Sequence, residues 1–489
     1  MTTTTTTTRA WPLPQRPAML LLLGAVLVAA SQVRFPVAAL GWVAAVPWLR
    51  YLRTTQGVRA RVAMVAALTG AWTIATMKIA SEPMFLFLAP AFALPIALAQ
   101  SGALLLWDRL HARLRPGHAV LLFGTSTAVA ESALYSFTEF GSWGAAGYAQ
   151  LDDLPLLQLA SVFGVAGIAA LVGSVAAAIE HALACPDQRR PAVWAIGAAL
   201  GVHAFGVVRL AVSENAQAPR LEVAMVATDS DVRGFPLPER ATTHAWDEAL
   251  RERTRRAARA GASLVVWTEA ATLVWPDEED AWIAALAATA REAGVDVVAG
   301  YVVPLAQTPP RYRNEARVAL ADGTVLPAYG KVHPVLGEPA VPGDPDGLGG
   351  VAHEAIARAW GTLAVAVCYD YDFPSMGRLR AAHDVDLVAV PSSDWRGIDP
   401  VHGQMATVRA IESGHALVRS TRWGLSVAAD AYGRVRAWRS HFEGGADVVL
   451  AGVPLLRVAT PYAWWGELPL LLVWSSTVAA ALWLARRRH

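Results

Sequence analysis

The apolar positions of this chain fall into two textures. Long, nearly unbroken runs fill residues 17–212, short runs divided by polar stretches fill roughly 221–460, and one more long run closes the chain. A helix needs about 20 consecutive apolar residues to cross the hydrocarbon core of a bilayer. Candidate spans lie at about 17–31, 35–49, 62–80, 84–106, 118–137, 154–180 and 191–212, with an eighth at 468–485. The first two are short and read as tilted, re-entrant or paired in a tight hairpin. The pattern predicts an α-helical transmembrane bundle of about eight spans.

Between the seventh and eighth runs the texture is that of an α/β domain. Short β-rich runs at 221–227, 263–267, 295–303, 363–368, 386–391, 416–420 and 425–429 read as strands. Helical patterns lie near 243–260, 279–293, 374–382 and 401–414. Such alternation places helices on the faces of a sheet. A segment of this length buries a sizeable core as one domain. The helix-poor stretches 304–316 and 335–358 read as long loops, suited to act as mobile lids.

Composition agrees with a membrane chain: 54% of residues are hydrophobic and 17% are charged, against about 25% charged in ordinary globular proteins. The formal net charge of +1 gives no ground for a nucleic-acid partner. The distribution of arginines says more than their total. Arg9 and Arg16 precede the first run, and Arg50, Arg53, Arg59 and Arg61 follow the second. Arg109, Arg113 and Arg115 follow the fourth, Arg189 and Arg190 the sixth, and Arg486, Arg487 and Arg488 close the chain. The intervening loops hold little basic charge: Arg34 in one, Glu82 in another, and Glu139, Asp152 and Asp153 in the third. This is the positive-inside pattern.

It divides the chain into a disordered cytoplasmic N-terminus (1–16, with its threonine run at 2–8), transmembrane helices (17–212), an extracytoplasmic domain (213–462) and a final helix with a basic cytoplasmic tail (463–489). A cleavable signal peptide is the rival reading of the first run, but the polytopic pattern that follows favours an uncleaved helix. Trp464 and Trp465 sit where an interfacial anchor is expected. Glu131 and His203 fall inside spans, either to contact substrate or to fix helix packing by a hydrogen bond.

Only two cysteines are present, Cys185 and Cys368, which excludes a disulfide scaffold and a cysteine-based structural zinc site. Three segments carry candidate chemistry. Leu-Val-Val-Trp-Thr-Glu-Ala (264–270) is a buried-strand run ending in Glu269. A turn-rich loop at 329–339 holds Lys331 and Glu338, and the apolar run before Cys368 ends in that thiol. A thiol is mostly protonated at neutral pH and needs a base to become a nucleophile. A desolvated glutamate supplies the base, and a lysine ammonium neutralises the thiolate and then an oxyanion. Nothing in that set requires a metal or an organic cofactor. Taken singly, a lone buried cysteine is more often packing and a lone Glu or Lys is usually solvated; taken together they ask for an explanation.

In order and spacing these segments resemble the nitrilase superfamily of carbon–nitrogen hydrolases. With the flanking spans, the chain is similar to its membrane branch, the bacterial apolipoprotein N-acyltransferases. The resemblance extends through Gly147-Tyr-Ala-Gln150, Leu154-Pro-Leu-Leu and Gly164-Val-Ala-Gly167 in the membrane half. In the domain it covers Lys331-Val-His333, Gly337-Glu338, Cys368-Tyr369, Asp394-Trp395, Arg409-Ala-Ile-Glu412-Ser-Gly414 and Arg419-Ser-Thr421. It implies a nitrilase-like αββα sandwich with a Glu269, Lys331, Cys368 triad, no metal, and residence in the bacterial inner membrane with the domain on the periplasmic side.

The implied reaction passes a phospholipid acyl chain, with phosphatidylethanolamine as donor, through a Cys368 thioester to the α-amino group of a diacylglyceryl-cysteine on a lipoprotein. Glu338 is then a second carboxylate orienting Lys331 or the amine, and Tyr369 shapes the site. The superfamily's usual Glu after the nucleophile is Asp370 here, its Trp-Pro-Glu is Trp267-Thr-Glu269, and its early Gln-x-Asn is replaced near 227–231. A membrane-bound hydrolase or acyltransferase acting on another amide or lipid ester is the alternative.

Overall fold

The computed structural model describes residues 16–214, 218–230, 232, 236–343, 355–445 and 447–486. The expected disordered segment before Arg16, residues 344–354 of the second expected lid, and Arg487 and Arg488 lie outside them.

The first half is a helical bundle of α1 (Pro17–Ser31), α2 (Ala38–Gly41), α3 (Val46–Thr54), α4 (Val58–Met77), α5 (Ala89–Leu110), α6 (Pro116–Phe137), α7 (Leu154–Leu157), α8 (Ala160–Ala184) and α9 (Arg190–Glu214). Among the described residues, five helices are long and apolar enough to cross a membrane, and Pro17–Ser31 and Leu468–Leu484 are shorter apolar helices. The expected second span, 35–49, is not one helix, because a turn separates α2 from α3. The broken segment still runs from one end of the bundle to the other. At one end Gln150 Nε2 donates to Ala38 O at 2.8 Å; at the other, Arg53 grips Glu180 near the end of α8 at 2.8 and 3.0 Å. Arg61 pairs with Asp108 at 2.7 Å at that same basic end.

The opposite end of the bundle carries the domain. Trp395 Nε1 donates to Ile79 O at 2.8 Å, Ser142 N to Asp372 O at 3.0 Å, and Gln158 Nε2 to Tyr432 O at 3.0 Å. The firmest weld lies at Gly164, whose φ of +66° interrupts α8. A Cβ there would come within 2.5 Å of the Tyr462 ring, so both conformation and space require glycine. The interruption exposes a fresh helix N-terminus, and Glu412 accepts from Val165 N at 2.7 Å. Arg409 pairs with Glu412 at 2.8 Å and donates to Tyr148 OH at 2.8 Å.

The domain opens with β1 (Arg220–Val226), α10 (Arg240–Arg259), β2 (Leu264–Trp267), β3 (Thr272–Leu273), α11 (Glu279–Ala293), β4 (Asp296–Gln307), β5 (Pro310–Ala319), β6 (Tyr329–Gly330) and β7 (Ala340–Val341). It continues with β8 (Ile356–Arg358), β9 (Gly361–Val365), α12 (Pro374–Ala382), β10 (Leu387–Ser393), α13 (Val401–Ser413), β11 (Ala416–Arg422), β12 (Leu425–Ala429) and β13 (Val435–Ser440). After α14 (His441–Gly444), β14 (Val448–Pro454) rejoins the first sheet, and α15 (Pro461–Trp465) and α16 (Leu468–Arg486) return the chain to the bundle.

One sheet runs β14-β1-β2-β4-β5-β6, with β3 beside β4 and β7 beside β5; the other runs β13-β12-β11-β10-β9-β8. In each, the inner strands β1, β2, β4 and β9, β10, β11 are parallel. Alternate residues serve two layers. Val223, Met225 and Leu264 meet Leu363, Val365 and Val418 between the sheets. Ala224, Val226, Val265 and Trp267 face outward onto Leu250 and Leu286 of α10 and α11. Val388 and Val390 do the same against Ala406 and Ala410 of α13. This is the αββα sandwich, and burial on both strand faces explains why its strands read as continuous apolar runs. Full burial of a side chain of this kind stabilises by about 1.5–3 kcal/mol.

Two expectations change. The stretch 304–316 is not a loop: it contains the β4–β5 hairpin, with Val302 opposite Asn314. Its alternation was hidden because Asn314 and Glu315 are polar yet buried. The strand expected at 363–368 ends at Val365, and Cys368 instead opens a 3-10 turn, Cys368–Asp372, with a φ of +48°.

Candidate active site

Three strand ends converge on one spot. Glu269 lies just past β2, its backbone N–H donating to Ser392 O of β10 at 3.2 Å. Lys331 follows β6, and its N–H donates to Asn314 O of β5 at 2.8 Å. Cys368 lies on its turn past β9, with the sulfhydryl 3.5 Å from Ser393 O. A left-handed φ at a non-glycine residue is uncommon, and here it lifts the thiol out of line with its strand.

Lys331 Nζ donates to Glu269 Oε1 and to Glu338 Oε2, both at 2.8 Å. Asn314 Nδ2 spans the same two carboxylates at 2.8 and 2.9 Å. Val335 N and Tyr312 OH complete the shell of Glu338 at 2.9 and 3.2 Å. Burial alone disfavours the Lys331 ammonium, but the charges of Glu269 and Glu338 outweigh it and hold the pKa well above that of an ordinary lysine. An ammonium has three N–H donors. Two are engaged, and the third is left for an oxygen in the site. Burial also pushes Glu338 up, yet Lys331 overrides it and keeps that carboxyl below its usual range.

Burial first, and then the charge of Glu269, push the Cys368 thiol well above its ordinary pKa, with Lys331 pulling the other way. At rest Cys368 is therefore a neutral thiol. With two carboxylates for one ammonium, the neighbouring cluster is one proton short of neutrality.

A second charged group adjoins the thiol. His402 joins Asp394 through Nδ1 at 2.7 Å and Asp372 through Nε2 at 2.9 Å, while Arg419 pairs with Asp394 at 2.7 Å. Burial opposes the imidazolium, but Asp372 and Asp394 outweigh it and raise His402 to about 9. Burial likewise opposes the Asp394 carboxylate, yet Arg419 and His402 bring it down to about 2. Cys368, Asp394 and His402 offer ligand atoms within 4.8 Å of one another, the spacing of a metal site. Both ring nitrogens of His402 already face carboxylates, and a dication would lie against the Arg419 guanidinium. The donor set fits a closed charge network better than a metal.

The remaining candidates have defined places. Asp370 is fully buried and accepts from His333 N at 2.6 Å, Tyr329 OH at 2.9 Å, and the N–H groups of Val332 and Val367 at 3.3 Å. It ties the lysine loop to the Cys368 turn. Tyr369 OH donates to Glu139 O of the membrane half at 2.8 Å. Glu131 Oε1 accepts from Ala146 N at 3.0 Å, and His203 Nε2 meets Asp153 Oδ2 at 2.8 Å, so both intramembrane residues pin loops. Cys185 is a free thiol in the bundle. Asn314, Tyr312, Asp372 and His402 were not singled out from the sequence. No local signal flags the first two, because β5 also carries Arg311, Arg313, Glu315 and Arg317.

Residues 222–460 match the family model described as carbon-nitrogen hydrolase, and residues 24–178 match that of the apolipoprotein N-acyltransferase N-terminal domain. An apolipoprotein N-acyltransferase of Azotobacter vinelandii is 30% identical over 427 residues, 80% of this chain and 78% of that protein. Those of Vibrio cholerae and Pseudomonas syringae are 36% and 28% identical, but over only 25% and 47% of their own lengths and 26% and 46% of this chain. Among solved structures, an amidase from Nesterenkonia sp. aligns with 53% of this chain and 98% of its own, at 22% identity and a TM-score of 0.40.

Proposed function

This chain belongs to the apolipoprotein N-acyltransferase family, and on that premise we propose that it moves an acyl chain from a phospholipid, through a thioester on Cys368, to the α-amino group of a lipoprotein's N-terminal diacylglyceryl-cysteine. The observation that carries the reading is the Lys331 ammonium, held at 2.8 Å from both Glu269 and Glu338 beside the thiol.

In the first half-reaction the Cys368 proton passes to Glu269 as sulfur attacks the ester carbonyl. The third N–H of Lys331 stabilises the oxyanion, a contribution of about 10²–10³ in rate for one such donor. The C–O bond breaks, Glu269 returns the proton to the leaving alcohol, and a lysophospholipid departs. In the second half the amine attacks the thioester, its proton moves to Glu269, the C–S bond breaks, and the regenerated thiolate recovers that proton. Glu338 keeps Lys331 in place through both halves. Asp370 supports the turn that carries the nucleophile, and Tyr369 ties that turn to the end of α6.

Phosphatidylethanolamine is the proposed donor. The proposed orientation puts both termini in the cytoplasm and residues 213–462 on the periplasmic face of the inner membrane. It is supported by the clustering of Arg53, Arg61 and their partners at the end of the bundle remote from the domain. With both substrates anchored in lipid, a site at the bundle surface meets them without extracting them.

Expression in cells depleted of their own N-acyltransferase, followed by mass spectrometry of lipoprotein N-termini, tests the reading. The expected result is an N-acyl group that Cys368→Ala abolishes. Its absence at normal membrane levels of the protein would overturn the assignment, and release of free fatty acid instead would make water the acceptor. A cytoplasmic reporter fused near residue 440 is expected to be inactive.

A further inference from the structure

A cavity of about 370 Å³ opens where α6 ends and α12 begins, and its walls include Glu139, His333, Phe373 and Arg378. α6 leaves off at Phe137 and α16 starts at Leu468, so the cavity lies at the level where two apolar helices emerge from the hydrocarbon region. Phe137 and Trp464 are 85% and 77% exposed nearby, as aromatic rings at a bilayer interface are. The inner wall belongs to the active site. His333 follows Lys331 on the same loop and stacks on Phe373 at 3.9 Å, and Tyr369, next to Cys368, reaches Glu139 O at 2.8 Å.

The cavity pairs a cation with an anion. Arg378 lies 3.3 Å from Glu467 and over the Tyr462 ring, yet its buried Nε has no hydrogen-bond partner. Glu467 divides its charge between Arg378 and the Tyr135 and Tyr462 hydroxyls, so it neutralises the guanidinium only in part. Glu139 is exposed and forms no ion pair among the described residues. Guanidinium recognises phosphate through paired N–H donors, and a carboxylate suits an ammonium.

We propose that this cavity is the headgroup subsite for a zwitterionic glycerophospholipid, with Arg378 holding the phosphodiester and Glu139 the ammonium. The proposal rests on the acyl-transfer reading of Cys368 and adds where the donor is recognised. A diacylglyceryl-cysteine carries no phosphate, so Arg378 distinguishes donor from acceptor. Only a glycerol backbone separates a phospholipid's phosphate from its ester carbonyls, which brings a headgroup held here close to the thiol.

The test separates binding from chemistry. Full-length Cys368→Ala protein is mixed with phosphatidylethanolamine, phosphatidylglycerol or diacylglycerol of matched chains, and bound lipid is counted by native mass spectrometry. Arg378→Gln on that background is expected to lower retention of both phospholipids about tenfold, the scale of one charge-assisted hydrogen bond, and to leave diacylglycerol unchanged. Arg378→Lys is expected to recover part of the loss. Glu139→Gln is expected to weaken phosphatidylethanolamine alone. Equal loss of all three lipids with Arg378→Gln would make the residue structural and overturn the proposal, as would undiminished phospholipid binding. Displacement of the phospholipids by millimolar inorganic phosphate would make this a free-anion site instead. Thioester formation in the wild-type protein is read separately, so failure of the acyl-transfer reading cannot be mistaken for failure of the subsite.

Discussion

Two buried charge clusters adjoin Cys368 and are balanced in opposite ways. In one, the Lys331 ammonium faces the Glu269 and Glu338 carboxylates, leaving a net negative charge and one free N–H. In the other, His402 and Arg419 offset Asp372 and Asp394, and every ring nitrogen and carboxylate is engaged. Trp143 Nε1 donates to Asp372 at 2.7 Å, so this second cluster also fastens the domain to a loop of the membrane half. An unbalanced cluster can accept a proton and donate to a new oxygen; a balanced one can only hold its shape. Burial is nearly the same in both, so burial does not distinguish chemistry from structure, whereas unfilled valence does.

That distinction breaks most visibly by mutation. Glu269→Gln keeps an oxygen for Lys331 Nζ but removes the proposed base, and is expected to slow thioester formation by about 10³-fold, within the range for general base catalysis, with the melting temperature almost unmoved. Asp394→Asn is expected to do the reverse in rank. It leaves Arg419 without its carboxylate and His402 with Asp372 alone, and removing one member of a buried pair destabilises by about 3–5 kcal/mol. Thermal denaturation of the two purified variants in detergent decides it: a melted Glu269→Gln or an unmoved Asp394→Asn would mean the roles are misassigned.

The balanced cluster has its own pH signature. His402 is raised from 6.5 to about 9 on folding, so its contribution is fully present below pH 6.5 and is lost as pH rises through about 9. Asp394 is depressed from 3.8 to about 2, so its contribution is present above pH 3.8 and is lost as pH falls through about 2. Between pH 6.5 and 9 the wild-type melting temperature is expected to fall, and His402→Asn should flatten that part of the slope. An unchanged slope in the variant would assign the titration elsewhere.

These clusters were unequally legible in the sequence. Glu269 and Cys368 stood out because each follows an apolar run, and with Lys331 from its turn-rich loop they fit a known motif. Asn314, which spans Glu269 and Glu338, was hidden in a stretch taken for a loop, since buried polar residues erase the alternation that marks a strand. His402 is one histidine on an ordinary helix, and nothing local announces that Asp372 and Asp394 come to it from other elements. The sandwich layers were readable because both faces of the inner strands are apolar. The break in 35–49 was not, because periodicity does not register a turn between two short apolar helices.

Tyr369 belongs to neither cluster and gives the finest test of the boundary between them. Its hydroxyl donates to Glu139 O, joining the Cys368 turn to the end of α6 without touching Lys331 or His402. Tyr369→Phe removes that one bond and leaves the ring against Phe373, whose centroid lies 5.5 Å away. A single neutral hydrogen bond contributes about 0.5–1.5 kcal/mol, so the loss should be at most about tenfold. Because the bond links the turn to the lipid-facing side, the effect is expected in KM for the phospholipid, with kcat and the pH–stability slope held. If kcat fell instead, the α6 contact would have to be counted among the supports of the nucleophile, and the line between chemical and structural groups would run through the membrane half as well as the domain.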